Sequence, residues 1–152
     1  FNINIRYKKG NLIGEGSFGK VYQGFDEEIG SIMAIKEIEF NFSNLKSDYL
    51  EKKISSFEQE INILSRLSHK NIIRYLGTNR SDKNFHIFLD ICIGGSISKM
   101  LQDYGSFSEN IIKLYTKQIL DGLEYLHSYN IIHRGKKSYL KNIILFSIKY
   151  SL

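Results

Sequence analysis

Polar and apolar positions alternate along the first third of the chain. Residues 4–12 alternate loosely, residues 21–25 keep a two-residue period, and residues 32–38 are mostly apolar. A two-residue period is typical of a β-strand with one buried face, and a short apolar run is typical of a strand inside a sheet. A polar turn at residues 26–31 separates the second run from the third. The pattern predicts three successive strands, the third in the interior of the sheet.

After the third strand the apolar period lengthens. Apolar residues recur at helical spacing in residues 56–67, which predicts a helix. Two apolar runs at residues 72–76 and 85–89 predict two further strands. Helical patterns return at residues 97–104 and 108–127. Strands with one embedded helix, followed by helices, predict an α+β fold.

The last predicted helix is apolar on more than one face. Ser108 is placed to be its N-cap, and Glu109 is favourable in its first turn. Its apolar residues include Ile111, Ile112, Leu114, Tyr115, Ile119, Leu120, Leu123, Tyr125 and Leu126. A helix that is apolar nearly all round is normally a buried helix. We therefore expect part of this surface to face water or another chain.

The composition is that of one globular domain. The chain has 152 residues, of which 42% are hydrophobic and 24% are charged. A formal net charge of +5 favours an anionic partner, but a solvated lysine-rich surface also explains it, and we expect no nucleic-acid partner. The apolar runs are too short to cross a bilayer, so we expect no membrane partner. The single Cys92 excludes an internal disulfide and a cysteine-based zinc site, and favours a reducing, cytoplasmic location.

A glycine motif of the form G-x-G-x-x-G-x-V occupies residues 14–21. Glycine accepts unusual backbone angles, and without a Cβ atom it lets backbone N–H groups approach a phosphate closely. A dinucleotide-binding turn would need a helix directly after the glycines, and a Walker loop would need Gly-Lys-Ser/Thr at a fixed spacing. Here a strand pattern follows, so the motif is expected in a β-hairpin.

Lys36 follows two apolar residues in the third predicted strand. A buried lysine is costly unless an anion accompanies it. Glu60, on the predicted inward side of the following helix, is the candidate partner, whereas Glu58 is placed to cap that helix. The alternative is an edge-strand lysine that points into solvent.

These motifs, with His133 and Arg134 after them, occur in the order and approximate spacing of the protein-kinase signature set. The chain therefore resembles a eukaryotic protein kinase domain. Four segments resemble the serine/threonine kinases of the mitogen-activated protein kinase kinase kinase group: 57–61, 71–78, 94–97 and 118–128. The resemblance implies an N-lobe of antiparallel sheet plus one helix at residues 1–89, a hinge at 90–93, and an incomplete C-lobe at 94–152.

The resemblance also implies an ATP site. Its expected residues are Ile13, Gly14, Glu15, Gly16, Ser17, Phe18, Gly19, Lys20, Val21, Ala34, Lys36, Glu60, Leu89, Asp90, Cys92 and Ser96. Lys36 would hold the α- and β-phosphates and pair with Glu60. Leu89 would be the gatekeeper, and the Asp90 carbonyl and the Cys92 N–H would bond the adenine edge. The Cys92 thiol is expected to be partly buried and inert.

The expected catalytic loop departs from the family pattern. The family has His-Arg-Asp, with an Asn five residues after the Asp. This chain has Gly135 after His133 and Arg134, so no catalytic residue set is intact. Lys137 matches the loop lysine, and Asn142 fits the metal-binding Asn only if the loop carries an insertion. No Asp-Phe-Gly follows in this sequence.

The resemblance implies ATP and Mg²⁺ as cofactors, and a protein substrate or partner kinase as a partner, although the Mg²⁺ ligands are missing from the pattern. We expect a kinase-family chain in which phosphoryl transfer is impaired or absent. The alternatives are a pseudokinase-type module that binds nucleotide or protein, and a fragment with no independent function.

Overall fold

The computed structural model describes residues 5–16, 19–39, 55, 58–59, 61–80, 84–92 and 94–131. Contacts divide the chain into two compact units. The first unit comprises residues 1–67 and 74–91, and the second comprises residues 68–73 and 92–152. The lobe boundaries expected from the resemblance stay a prediction.

The first unit contains a five-stranded sheet of order β1-β2-β3-β5-β4, in which all neighbouring strands are antiparallel. The strands are β1 (Tyr7–Gly16), β2 (Gly19–Asp26), β3 (Ser31–Glu39), β4 (Tyr75–Arg80) and β5 (Asn84–Asp90). Strands β2, β3 and β5 match the predicted strands to within two residues, whereas β1 begins three residues later and ends four residues later than predicted. The predicted interior position of β3 is confirmed, because β3 lies between β2 and β5.

The predicted turn between β2 and β3 is confirmed, and Asp26 organises it. One oxygen of its carboxylate accepts hydrogen bonds from the backbone N–H groups of Glu28, at 2.9 Å, and Ile29, at 3.2 Å. Gly30 has a φ of 69°, which favours glycine, and its N–H donates to the Asp26 carbonyl at 2.9 Å. The turn therefore supplies hydrogen-bond acceptors for its own backbone N–H groups, while residues 27–30 stay exposed to solvent.

Strand β3 is buried on both faces of the sheet. Since side chains alternate between faces along a strand, Met33 and Ile35 lie on one face, and Ala34 and Lys36 lie on the other. Met33 and Ile35 form a fully buried cluster with Phe88 of β5. We call this side of the sheet the core face and the opposite side the lysine face.

One predicted strand was misplaced. The apolar run at residues 72–76 predicted a strand, but β4 begins only at Tyr75 and continues to Arg80. Ile72 is buried, yet its N–H closes a turn by donating to the His69 carbonyl at 3.1 Å. Burial in a loop, not pairing in the sheet, explains the apolar character of this position.

The predicted helix over residues 56–67 is described only in part. Residues 61–64 are helical, and Ile61, Leu64 and Leu67 are buried as their spacing predicts. Residues 65–66 form a turn that ends the helix early. The expected partner of Lys36, Glu60, lies outside the described residues.

The second unit contains helices α1 (Ile97–Tyr104) and α2 (Glu109–Ser128). Both were predicted within a residue or two. The Ser96 hydroxyl caps α1 by accepting a hydrogen bond from the Lys99 N–H at 3.1 Å. Ser108 has the N-cap position of α2, but its side chain makes no capping hydrogen bond within the described part of the chain. No described helix has the length and apolarity needed to span a membrane.

The loop at residues 68–73 packs on α2. The Ser68 N–H donates to the Tyr125 hydroxyl at 2.9 Å, and the His69 and Tyr125 rings stack with centroids 4.9 Å apart. Helix α2 buries Leu126 completely, whereas Ile112 is 52% exposed and Leu120 is 58% exposed. Helix α2 therefore has apolar surface that the described residues leave open to solvent.

Candidate functional site

The strand register assembles a row of expected site residues on the lysine face. Gly14 is paired with Val21, and Val21 is paired with Lys36 on the next strand. Ala34, two residues before Lys36 and hence on the same face, is paired with Leu89. Four strands thus bring the glycine motif, the lysine and the expected gatekeeper into one continuous patch.

Lys36 is buried in this patch, with 4% of its surface exposed. Ala34 and Leu89 beside it are also buried. The alternative of an edge-strand lysine in solvent is therefore wrong. A buried ammonium group is stable only among hydrogen-bond acceptors or anions, so this position favours an anionic group near the strand centre.

The glycine motif closes the hairpin between β1 and β2, as its pattern predicts. Gly16 is paired with Gly19, and residues 17–18 at the tip lie outside the described part of the chain. Gly19 has a φ of 125°, and a Cβ atom there would lie 2.1 Å from the Glu37 carbonyl oxygen. A Cβ atom on Gly14 would meet only the Val21 side chain, at 3.9 Å. Gly19 is thus required by the close approach of two strands, and the backbone N–H groups of a glycine-rich hairpin suit a phosphate-bearing ligand.

The remaining expected residues of the first unit have varied environments. Ile13 is half-exposed on β1, and Glu15 is paired across the hairpin with Lys20. The Asp90 N–H donates to the Arg74 carbonyl at 2.9 Å, and one Asp90 carboxylate oxygen accepts from the Arg74 guanidinium at 3.1 Å. The Asp90 side chain is therefore engaged by the residue that directly precedes β4.

Two of the described expected residues fall in the second unit. Cys92 is partly buried, and its carbonyl accepts a hydrogen bond from the Gly95 N–H at 3.1 Å. Ser96 serves as the α1 N-cap. The expected residues outside the described part of the chain are Ser17, Phe18, Glu60, His133, Arg134, Gly135, Lys137 and Asn142. Within the described ranges, no group of three acidic, histidine or cysteine side chains is placed to hold a metal ion.

A charged cluster on the core face was missed by the sequence reasoning. The Glu37 carboxylate accepts a hydrogen bond from the Lys9 ammonium at 2.9 Å, and the same oxygen lies 2.8 Å from His86 Nε2. The Tyr7 hydroxyl lies 3.4 Å from His86 Nδ1. A charged residue in a buried strand directly after Lys36 was the one available signal, because alternation must place it on the opposite face.

Electrostatics within this cluster favour the ionised carboxylate. Burial raises the pKa of Glu37, but the hydrogen bonds from His86 and Lys9 outweigh it, so the pKa lies below its ordinary value. The hydrogen bond to Glu37 raises the pKa of Lys9. Both shifts favour the charged forms of Lys9 and Glu37, as expected for an ion pair.

A sequence model of the protein kinase domain matches residues 7–149. Mitogen-activated protein kinase kinase kinase A of Dictyostelium discoideum is 45% identical over 137 residues, covering 90% of this chain and 14% of that protein. Mitogen-activated protein kinase kinase kinase YODA of Arabidopsis thaliana is 48% identical over 132 residues, covering 87% of this chain and 15% of that protein. This chain thus spans only a small part of the length of these relatives.

Among solved structures, the chain is similar to the crystal structure of Rad53 1–466 in complex with AMP-PNP, with a TM-score of 0.71 and 23% sequence identity. The match covers 86% of this chain and 33% of that chain. At this identity the likeness concerns the fold alone, and it confirms the predicted α+β architecture of a sheet followed by helices.

Proposed function

The chain belongs to the protein kinase domain family and resembles its mitogen-activated protein kinase kinase kinase members, and from that premise we propose that it binds ATP but transfers phosphate poorly or not at all. The observation that carries the binding proposal is the burial of Lys36 on the lysine face, in register with Val21 and the glycine hairpin.

The chemistry of the lysine face suits a nucleoside triphosphate. The Lys36 ammonium supplies a buried positive charge for the α- and β-phosphates. Val21, Ala34 and Leu89 supply apolar surface for a planar base. The hairpin from Gly14 to Gly19 supplies backbone N–H groups without side chains at its glycines.

Weak phosphoryl transfer follows from the sequence of the expected catalytic loop. Gly135 occupies the position where the family has its catalytic Asp, and glycine has no side chain to accept a proton. Loss of a general base lowers a rate by about 10²–10⁴. That factor corresponds to about 3–5.5 kcal/mol of barrier.

Mg²⁺, when bound in this family, neutralises charge on the β- and γ-phosphates. The one candidate ligand in the expected loop is Asn142, which reaches the right place only with an insertion. We therefore propose that ATP binding by this chain depends less on Mg²⁺ than is usual for the family. Titration of ATP with and without Mg²⁺ tests this, and strict dependence on Mg²⁺ would contradict it.

Calorimetric titration with ATP tests the binding proposal. We expect binding by the wild-type chain and a loss of affinity of about tenfold or more in Lys36→Met, because a charge-assisted contact to phosphate is removed. Lys113→Met is the matched control, since Lys113 is 70% exposed and pairs with Glu109 on the surface of α2. No binding at millimolar ATP, or equal affinity in the two variants, would refute the proposal.

A γ-phosphate transfer assay on a generic protein substrate tests the proposal that phosphoryl transfer is weak or absent. We expect turnover at or near background for the wild-type chain. Robust turnover that Lys36→Met abolishes would show that the chain is an active kinase and that Gly135 does not impair it.

A second candidate function is a pseudokinase-type module that binds a protein. The exposure of Ile112 and Leu120 on α2 favours it, since they lie eight residues apart on one face of the helix and exposed apolar side chains on one face commonly mark an interface. Substituting both by Ser separates the candidates. Loss of partner binding with unchanged ATP affinity would support the protein-binding role, and unchanged partner binding would exclude this surface.

A further inference from the structure

We propose that Lys9, Glu37 and His86 form a polar tie that holds strand β1 in place and so positions the glycine hairpin for nucleotide. The inference rests on the proposed ATP-binding function. It makes these three side chains positioning residues, because they lie on the core face and act through the backbone.

The tie spans the sheet from one edge to its interior. Lys9 lies on β1, Glu37 on β3 and His86 on β5, so the Lys9–Glu37 contact passes over β2. The Lys9 ammonium also lies over the Tyr22 ring on β2, 4.3 Å from the ring centroid. Glu37 and His86 are directly paired across β3 and β5. One carboxylate therefore joins β1 to two interior strands.

Strand β1 needs such a tie because its own pairing is irregular. It is one of the two edge strands of the sheet and, among the described residues, is paired only with β2. That pairing shifts register twice, between Lys9 and Leu12 and again between Leu12 and Gly14. Register shifts remove ladder hydrogen bonds and bend the strand. The segment that leads into the glycine hairpin is thus held less firmly by the backbone than a regular strand would be.

Glu37 also contacts the far side of the hairpin. Its carbonyl oxygen lies only 2.1 Å from the position that a Cβ atom on Gly19 would occupy, so the two backbones are in close contact. Its side chain meanwhile holds Lys9, on the strand that enters the hairpin at Gly14. A single residue of β3 therefore positions both the strand that enters the glycine hairpin and the strand that leaves it.

The burial of two of its three members strengthens the tie, while the Lys9 side chain is 40% exposed. The Glu37 side chain is 8% exposed and the His86 side chain is 13% exposed, so water competes weakly for their hydrogen bonds. Tyr7 completes the cluster from β1, with its hydroxyl near His86 and its ring packed on Phe88 at a centroid distance of 4.9 Å. Both Tyr7 and Lys9 are on β1, so this strand is attached to the interior at two points.

The test compares Lys9→Met with Lys8→Met. Lys8 is the adjacent lysine, its side chain is 77% exposed, and it pairs with Glu27 instead of Glu37. Two quantities are measured: amide hydrogen exchange of residues 12–16, and the dissociation constant for ATP. The first reports the position of β1 without any nucleotide.

We expect exchange at residues 12–16 to become about tenfold faster in Lys9→Met, because the local opening of β1 becomes easier. The ATP dissociation constant should rise about threefold, which corresponds to β1 being open in about a fifth of wild-type molecules, since the apparent affinity scales with the fraction of the chain that holds the hairpin ready for nucleotide. Lys8→Met should change neither quantity. Lys9→Arg should restore both, because it keeps the charge that Glu37 requires.

Glu37→Gln provides a second variant with nearly the same shape, and it should also speed exchange at residues 12–16. Unchanged exchange in both Lys9→Met and Glu37→Gln would overturn the tie. Faster exchange with unchanged ATP affinity would overturn its role in positioning the hairpin. Absence of ATP binding by the wild-type chain would refute the proposed function, and the exchange data alone would then decide whether the tie exists.

Discussion

Replacing Gly19 by alanine tests whether the glycine hairpin is set by the close approach of strands. The added Cβ atom would lie 2.1 Å from the Glu37 carbonyl oxygen and 3.2 Å from its carbonyl carbon. Both are backbone atoms, so no side-chain rotation relieves the overlap. The φ of 125° adds strain for any residue with a side chain.

The free-energy cost follows from these two terms. A non-glycine residue at such a backbone angle costs about 1–3 kcal/mol. Moving β2 away from β3 to clear the carbonyl adds about 1 kcal/mol or more through lost packing. We therefore expect Gly19→Ala to lower the free energy of unfolding by about 2–4 kcal/mol, a large share of the total stability of a small domain.

Urea denaturation followed by far-ultraviolet circular dichroism measures this loss, with Gly14→Ala as the matched control. A Cβ atom on Gly14 meets only the Val21 side chain at an ordinary contact distance of 3.9 Å. We expect Gly14→Ala to change the unfolding free energy by less than about 1 kcal/mol. Equal unfolding midpoints for the two variants would show that the reasoning about Gly19 is wrong.

Three further predictions concern hydrogen bonds. Because the pKa of Glu37 is lowered in the folded chain, its ionised carboxylate stabilises the fold fully above the ordinary value of 4.5, and this stabilisation is lost as the pH falls through the lower folded value. Urea titrations in that acid range should show a smaller loss of unfolding free energy in Glu37→Gln than in the wild-type chain. Identical pH profiles would contradict this. Tyr125→Phe should lower the unfolding free energy by about 0.5–1.5 kcal/mol, because the Ser68 N–H loses its acceptor while the stack of the ring on His69 remains. An unchanged urea midpoint would contradict this and would mean that water replaces the hydroxyl at no cost. Asp26→Ala should lower the unfolding free energy by about 1–2 kcal/mol and Asp26→Asn by less, since only the asparagine amide keeps an oxygen that accepts hydrogen bonds from the turn. Thermal melting of both variants tests this, and a lower melting temperature for Asp26→Asn than for Asp26→Ala would refute it.

The sheet was largely predictable because hydrophobic period and turn chemistry agree there. Strand β3 is apolar enough that its interior position follows from its residues alone, and the polar residues around Asp26 mark the turn that precedes it. The glycine motif followed by an alternating run correctly indicated a hairpin. Ile72 misled the prediction of β4, since a residue buried in a loop has the same apolar signature as a residue buried in a strand.

The partners of Glu37 in the charged cluster on the core face could not have been predicted from the pattern. Glu37 and His86 are 49 residues apart, and their contact depends on the register between β3 and β5. A period of two gives the face on which a residue lies, but not which residue of another strand lies opposite. The candidate lysine, by contrast, was recognisable because its cost of burial is a property of one residue in one strand.

Among the described residues, the turn between β2 and β3 is well suited to accept foreign sequence. Glu27, Glu28, Ile29 and Gly30 are all exposed, and a Cβ atom on Gly30 would have no heavy atom within 4 Å. Exposed loop tips of this kind tolerate inserted residues better than any position within a strand. A fluorescent label or an affinity peptide grafted between residues 28 and 29 would sit beyond the paired strands. It would interrupt the hydrogen bonds that Asp26 accepts from this turn, at a cost no larger than that of Asp26→Ala, and would leave the lysine face undisturbed.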